Sequence, residues 1–216
     1  MSRMPSSSSD KIYHFIISAI AQGKLKAHDR IKEQELVKET GLSRTPIREA
    51  LTLLQNEGIL SQDGRNALVV TGLDLISMTK LYELRENLEI WASKLATRHI
   101  SKIEIEVLYN IIQSGKKLSK LSEVRANNLL FHQTIYRCAS NPYLIKIMKN
   151  LEHSLLLLGE STLTSPQRQA QAHEEHLSIV KAMQRGDEEE AAKRAEFHIK
   201  QAYKMRLEQF LQKDKD

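Results

Sequence analysis

The run Gly41-Leu42-Ser43-Arg44-Thr45-Pro46-Ile47-Arg48-Glu49-Ala50-Leu51-Thr52-Leu53-Leu54-Gln55-Asn56-Glu57-Gly58 decides how the rest of this chain is read. Ile47, Ala50, Leu51 and Leu54 recur three and four residues apart, which predicts a helix over Ser43–Glu57 with one apolar side. Pro46 fits its first turn, where the missing N–H removes no hydrogen bond, and Gly58 closes it. Upstream, Glu33–Thr40 forms a shorter helix with Leu36 and Val37 inward, stopping at Gly41. Before that, Asp10 caps a helix whose Ile12, Phe15, Ile16, Ala19 and Ile20 share a face and which ends at Gly23. Downstream, Ile59–Ser61 and Ala67–Thr71 flank a polar turn and read as a β-hairpin. Three helices and a hairpin over residues 10–72 make a winged helix-turn-helix. The serine-rich residues 1–9 read as a disordered tail.

In such a unit the last helix enters the major groove by its N-terminal end, which must be rich in donors. Arg44, Thr45, Arg48, Thr52 and Gln55 share one face of that helix, set apart from the Ile47/Leu51/Leu54 side. An arginine can donate two hydrogen bonds to guanine O6 and N7, while Thr45 and the amides that follow Ser43 suit phosphate. Arg65, at the hairpin tip beside Gly64, is placed to reach the backbone or the minor groove. The charge total alone would not have carried this. The net charge is +5, yet acids nearly balance cations between Asp10 and Thr71.

Beyond Gly72 the β signals stop. Leu81, Leu84, Leu88, Trp91 and Leu95 alternate at three and four residues, predicting a long helix that packs against others. Ser101 with Glu104 forms a capping box, Ser122 caps the next helix, and Asn141-Pro142 and Ser165-Pro166 pair a cap with a first-position proline. Gly186-Asp187 ends one helix and opens the last. The fold class is therefore mainly α: the winged unit, then an all-α antiparallel six-helix bundle over residues 73–213. Cys138 is the only cysteine, which leaves neither an intrachain disulfide nor a thiolate metal cluster. The longest purely apolar run, Leu155–Leu158, is far short of a membrane span, so the expected location is cytoplasmic, with no membrane partner.

The segment Gly41–Leu51, together with Leu54, Glu57-Gly58, Gly64-Arg65 and the upstream Gly23-Lys24-Leu25 and Glu35-Leu36, resembles the GntR family of bacterial regulators. The resemblance implies operator contacts by Arg44, Thr45 and Arg48 and a wing tip at Gly64-Arg65. Asn66 departs from the family pattern, which has a second glycine there. Leu84–Glu89, Phe131-His132, Ser140–Pro142, Glu175-His176 and Phe197-His198 resemble the FCD effector domain of the FadR-like branch.

The inner stripes of that second domain carry unexpected polar residues. Val124, Asn128, Phe131, Ile135 and Ala139 line up on one helix with His132 at the edge. His176 shares a stripe with Ala172, Ile179 and Met183, and His198 with Ala191, Ala195, Ala202 and Met205. Each inward polar group needs a partner, and a shared divalent metal, zinc or nickel, would satisfy Asn128, His132, His176 and His198 together. The resemblance implies an aspartate where Asn128 stands, so this chain offers a weaker, uncharged donor. Arg85 lies near the apolar stripe, as an ion-pair partner of Glu89 or as a contact for an anionic ligand along with the histidines. His173-Glu174-Glu175-His176 imitates a zinc-protease motif, but its histidines are three residues apart rather than four. His153 reads as ordinary.

The function expected from this is a homodimeric DNA-binding regulator, a repressor, released from double-stranded operator DNA by a small carboxylate effector held in the helical domain. Two rival readings are a metal-dependent hydrolase built on the histidines and an architectural DNA-binding protein that senses no ligand. Against the first, no carboxylate is placed by pattern as a general base.

Overall fold

The computed structural model describes residues 7–159 and 161–213. These form two compact units: the chain up to Ile76 together with Asn150–Gly159, and the remainder.

The first unit holds α1 (Ser8–Ala21), α2 (Glu33–Thr40), α3 (Arg44–Asn56), β1 (Leu60–Gln62) and β2 (Leu68–Val70). Helix α1 starts earlier than its sequence indicated. Ser7 is the N-cap, accepting from the Asp10 amide at 3.0 Å, while the Asp10 carboxylate accepts from the Ser7 amide at 2.9 Å. Asp10 is thus the far half of a capping box, and Ser8 and Ser9 are helical rather than part of a tail. Residues 1–6 lie outside the described residues. The buried side of α1 is Ile12, Tyr13, Ile16 and Ile20, and Phe15 faces solvent. Gly41 takes a left-handed φ of 69° at the end of α2, turning the chain sharply into α3. Ile47, Ala50, Leu51 and Leu54 pack α3 onto α1 and α2 in one core with Ile59, Leu60 and Val70.

Strands β1 and β2 pair antiparallel, Leu60 opposite Val70 and Gln62 opposite Leu68. A short stretch, Asp29–Ile31, adds hydrogen bonds on the other edge of β2, from the Ile31 amide to the Leu68 carbonyl and from the Val70 amide to the Asp29 carbonyl. The wing turn is held by Asp63, whose Oδ1 accepts from the amides of Arg65 and Ala67, each at 2.8 Å. Asn66 has φ 57°, so asparagine makes the left-handed step that the family assigns to glycine.

Residues 150–159, which the sequence grouped with the second domain, belong to the first unit because Leu157 is buried in its core with Leu156 packed against it. This segment also carries His153. The Tyr13 hydroxyl donates to Glu57 Oε2 at 2.6 Å and lies 2.9 Å from His153 Nδ1. Burial and the Glu57 carboxylate push the phenol above its ordinary value, so it stays a donor. Far from ordinary, His153 closes a three-residue clasp. Tyr13→Phe should cost the first unit about 1–3 kcal/mol, because it removes both the donor to Glu57 and the hydroxyl oxygen that faces His153 Nδ1. Urea denaturation read on that unit checks this, and an unchanged midpoint would sink it.

The second unit is built from α4 (Leu75–His99), α5 (Lys102–Gly115), α6 (Leu121–Cys138), α7 (Pro142–Leu156), α8 (Pro166–Gln184) and α9 (Glu188–Lys213), the ends of α4 and α7 reaching into the first unit. Caps at Ser101, Asn141, Ser165 and Asp187 form as their sequences indicate. Ser122 does not cap: α6 begins at Leu121 with Lys120 in the cap position. Helix α4 differs most from its sequence reading. Its buried residues include Met78, Tyr82, Glu89, Ala92, Ser93, Ala96 and Thr97, whereas Leu84 and Trp91 are 50% and 45% exposed. Of the Leu81-to-Leu95 stripe, Leu84 and Trp91 therefore face outward and Leu81, Leu88 and Leu95 are half-buried, while Glu89, Ser93 and Thr97 join small and apolar residues on the inner side.

Candidate functional site

On the first unit, Ser43, Arg44, Thr45, Arg48 and Thr52 all stand exposed along α3, with Gly64 and Arg65 exposed at the wing. Gln55 is half-buried, one turn beyond buried Leu51. Ser43 makes no capping bond through its hydroxyl, and the first amides of α3 have no intrahelical acceptor, so this helix end is open to an anion. Arg48 pairs with Glu33 of α2, but through Nε alone, at 3.0 and 3.1 Å to the two carboxylate oxygens. Its terminal N–H groups meet no acceptor among the described residues, and the side chain is 64% exposed. A contact of that kind contributes little and yields readily to a base.

In the second unit three helices bring three imidazoles to one point. His132 of α6, His176 of α8 and His198 of α9 are each at most 4% exposed, and their ring nitrogens gather within 4.8 Å. His198 Nε2 lies 3.3 Å from both His176 Nε2 and His132 Nε2. Behind two of the rings stand carboxylates. Glu175 is 2.6 Å from His198 Nδ1, and Glu89 of α4 is 3.2 to 3.3 Å from His132 Nδ1. Each carboxylate is held in turn. Arg168 donates to both Glu175 oxygens at 2.9 Å, while Glu89 accepts from Tyr136 at 2.7 Å and Arg85 Nε at 3.4 Å. His176 stacks on Phe131, ring centroids 3.9 Å apart.

These contacts set the protons. A carboxylate only accepts, so Nδ1 of His132 and of His198 carries the hydrogen, and in the neutral form of each ring the Nε2 lone pair turns inward. Burial opposes the charged form of His176, whose pKa falls well below the ordinary histidine value, and of His198, which burial lowers to about 4 despite Glu175. Burial would raise Glu89, but His132, Arg85 and Tyr136 outweigh it and hold the carboxyl at about 2. Two lone pairs 3.3 Å apart with no proton between them repel, and a cation at their meeting point relieves that. The donor set therefore fits a divalent ion such as zinc or nickel. Asn128 is half-buried one turn before His132 on α6, the same side of the helix.

Arg85 forms the ion pair with Glu89, the first of the two roles weighed for it. Glu175, Arg168 and Tyr136 were missed as parts of this centre. Tyr136, four residues after His132, carried a helical-spacing signal, as did Arg168 and Glu175 two turns apart. The pairing of Glu175 with His198 across helices carried none.

A polar-faced recognition helix with a wing, followed by a helical unit enclosing a polar centre, defines a winged-helix transcription regulator. Residues 8–70 match the gntR family of bacterial regulatory proteins, and residues 80–201, over half the chain, match the FCD domain. The chain belongs to the GntR family and carries an FCD domain; it is a DNA-binding transcription regulator and not an enzyme, which removes the hydrolase reading. It is 25% identical to the uncharacterized HTH-type transcriptional regulator YdhC of Bacillus subtilis over 88% of this chain and 86% of that one. Identity to the gluconate operon transcriptional repressor of the same organism is 29% over 65% of this chain and 60% of the relative. The structure of E. coli McbR/YncC shares the fold, with a TM-score of 0.80 at 20% identity, covering 94% of this chain and 99% of that one.

Proposed function

We propose that the chain represses transcription as a homodimer on double-stranded operator DNA and is released by a small carboxylate bound at the histidine centre of residues 73–213. The observation that carries the reading is the convergence of three buried imidazoles whose Nε2 atoms lie 3.3 Å apart in sequence around His198. In this reading residues 10–72 contact DNA: Arg44 and Arg48 address bases, Ser43, Thr45 and the α3 amides address phosphate, and Thr52, Gln55, Gly64 and Arg65 complete the footprint. His132, His176 and His198, with Asn128 as a weak fourth donor, would hold the divalent metal, which would supply a Lewis-acidic position for the effector carboxylate. The outer side of α4, with Leu84 and Trp91 exposed, supports a second copy as the partner. A polar buried centre argues against a purely architectural DNA binder, which would have no use for it.

Release requires the effector to prefer the DNA-free arrangement by about 1–3 kcal/mol. The test is metal analysis of the purified protein, followed by operator binding with and without metal and organic acids. Glu89→Gln and Glu175→Gln, each replacing the charged acceptor behind one ring by a neutral amide, should lower zinc affinity about 10–100-fold with helix content unchanged. Zinc affinity equal to that of the parent in both variants would refute the metal centre.

A further inference from the structure

One arginine on the flank of the wing stands outside the footprint described above. Arg30 precedes α2 and lies opposite Val69 of β2, on the edge away from β1. Backbone hydrogen bonds on either side of it fix its place. The Ile31 amide donates to the Leu68 carbonyl at 2.8 Å, and the Val70 amide to the Asp29 carbonyl at 3.0 Å. Side chains alternate along an extended chain. Ile31 is buried in the core of the first unit with Leu60 and Val70, so Arg30 stands on the other face of the wing. There it reaches the turn. Its Nη2 donates to Asp63 Oδ2 at 3.3 Å, the only hydrogen bond of its guanidinium among the described residues, and the side chain is 51% exposed.

Asp63 explains why a cation is needed at this place. Its Oδ1 accepts from the Ala67 and Arg65 amides, the bonds that shape the tip. Those amides, with Arg30, outweigh desolvation and hold the carboxyl below the ordinary carboxylate range, so the tip carries a negative charge at neutral pH. An ionised carboxylate brought against a duplex repels its phosphates. Arg30 and exposed Arg65 flank that one acid and leave a surplus of one positive charge at the tip. Nε and Nη1 of Arg30 remain as donors, and its exposed pair with Asp63 contributes little, so it opens readily. A planar guanidinium with donors to spare suits the oxygens of a backbone phosphate.

We propose that Arg30 binds a backbone phosphate of the duplex beside the wing tip, with Asp63 positioning both the turn and the guanidinium. This rests on the reading that the wing contacts DNA, and adds to it a residue from outside the hairpin, 33 positions before Asp63. A phosphate contact carries no sequence information, so Arg30 strengthens binding to every duplex alike.

The test uses the full chain and two fluorescein-labelled duplexes, one selected by the parent protein from a random pool and one of scrambled sequence. Binding is followed by anisotropy from about 50 to 200 mM NaCl. Arg30→Gln should weaken both duplexes by a similar factor, about three- to tenfold at the low-salt end. It should also lower the slope of log affinity against log salt by about 1 per protomer. Arg30→Lys, which keeps the charge, should keep the slope. Asp63→Asn separates phosphate binding from support of the turn. Its amide oxygen can still accept from the Arg65 and Ala67 amides while the negative charge is gone, so both duplexes should bind severalfold tighter. A loss in Asp63→Asn equal to that in Arg30→Gln would make Arg30 a prop for the turn and overturn the proposal. A loss in Arg30→Gln confined to the selected duplex would do the same, since it would mean base reading. An unchanged slope in Arg30→Gln while Arg65→Gln lowers it overturns this inference alone. If neither variant alters the slope, the wing does not meet DNA, and the reading beneath the proposal falls with it.

Discussion

Replacing both Arg44 and Arg48 by alanine is expected to reduce operator binding to the level seen with unrelated duplex. A bidentate arginine–guanine contact discriminates by about 1–3 kcal/mol, so two that act independently give roughly 2–6 kcal/mol. The fold should not suffer, because both side chains are exposed and the apolar residues that anchor α3 are untouched. Electrophoretic mobility shifts against the operator and a scrambled duplex, at one stated salt concentration, separate loss of base reading from loss of phosphate attraction. The Glu33 contact sharpens the experiment. Arg48 is held through Nε with its terminal nitrogens outward, and an exposed ion pair is worth about 1 kcal/mol or less. Glu33→Gln should therefore leave operator affinity equal or slightly higher, since it removes a competitor and a negative charge near the duplex. Undiminished specific binding by the double variant would remove α3 from the role of reading helix.

How far the sequence carried this reading depends on the kind of contact involved. Local features were legible: the apolar face of α3, the stop at Gly41, the hairpin around Asp63–Asn66 and the caps at Ser101, Asn141 and Ser165 all follow from neighbours within a few residues. The three histidines were legible as inward-facing because each sits on a regular stripe with small or aliphatic residues. Helix α4 misled for the opposite reason. Its most regular apolar stripe leaves Leu84 and Trp91 outward and the other three leucines only half-buried, and its inner side carries Glu89, Ser93 and Thr97, which pattern reading assigns to solvent. A buried polar face opposite other polar groups and an apolar face available to a partner invert the usual rule. The clasp of Tyr13, Glu57 and His153 and the pairing of Glu175 with His198 span long sequence separations, and periodicity carries no information about them.

The metal-free protein should lose stability as acid is added, beginning well above the range in which carboxylates titrate. A histidine whose folded pKa is depressed is neutral when folded, and it takes up a proton more readily when unfolded. His198 sits at about 4 when folded, against an ordinary 6.5, and burial lowers His176 as well. Above about pH 6.5 neither state binds the proton and the stability is whole. Between about 6.5 and 4 the unfolded chain gains protons that the folded one refuses, costing up to about 1.4 kcal/mol per pH unit for each such ring. For His198 alone that amounts to about 3 kcal/mol across the window, and His176 acts in the same direction. Glu89, held at about 2, loses its contribution only in a lower window, below its ordinary 4.5, so the two effects separate on the pH axis. Urea denaturation between pH 7 and pH 5, followed through Trp91 in the helical unit, measures the upper window without the lower one. His176→Leu, which replaces one depressed ring by an apolar side chain stacking on Phe131, should flatten the slope, and saturating zinc should raise stability most at the high-pH end, where protons compete least. A metal-free protein equally stable at pH 7 and pH 5 would mean that these rings are not buried as neutral bases, and the argument for a cation at their meeting point would fall with them.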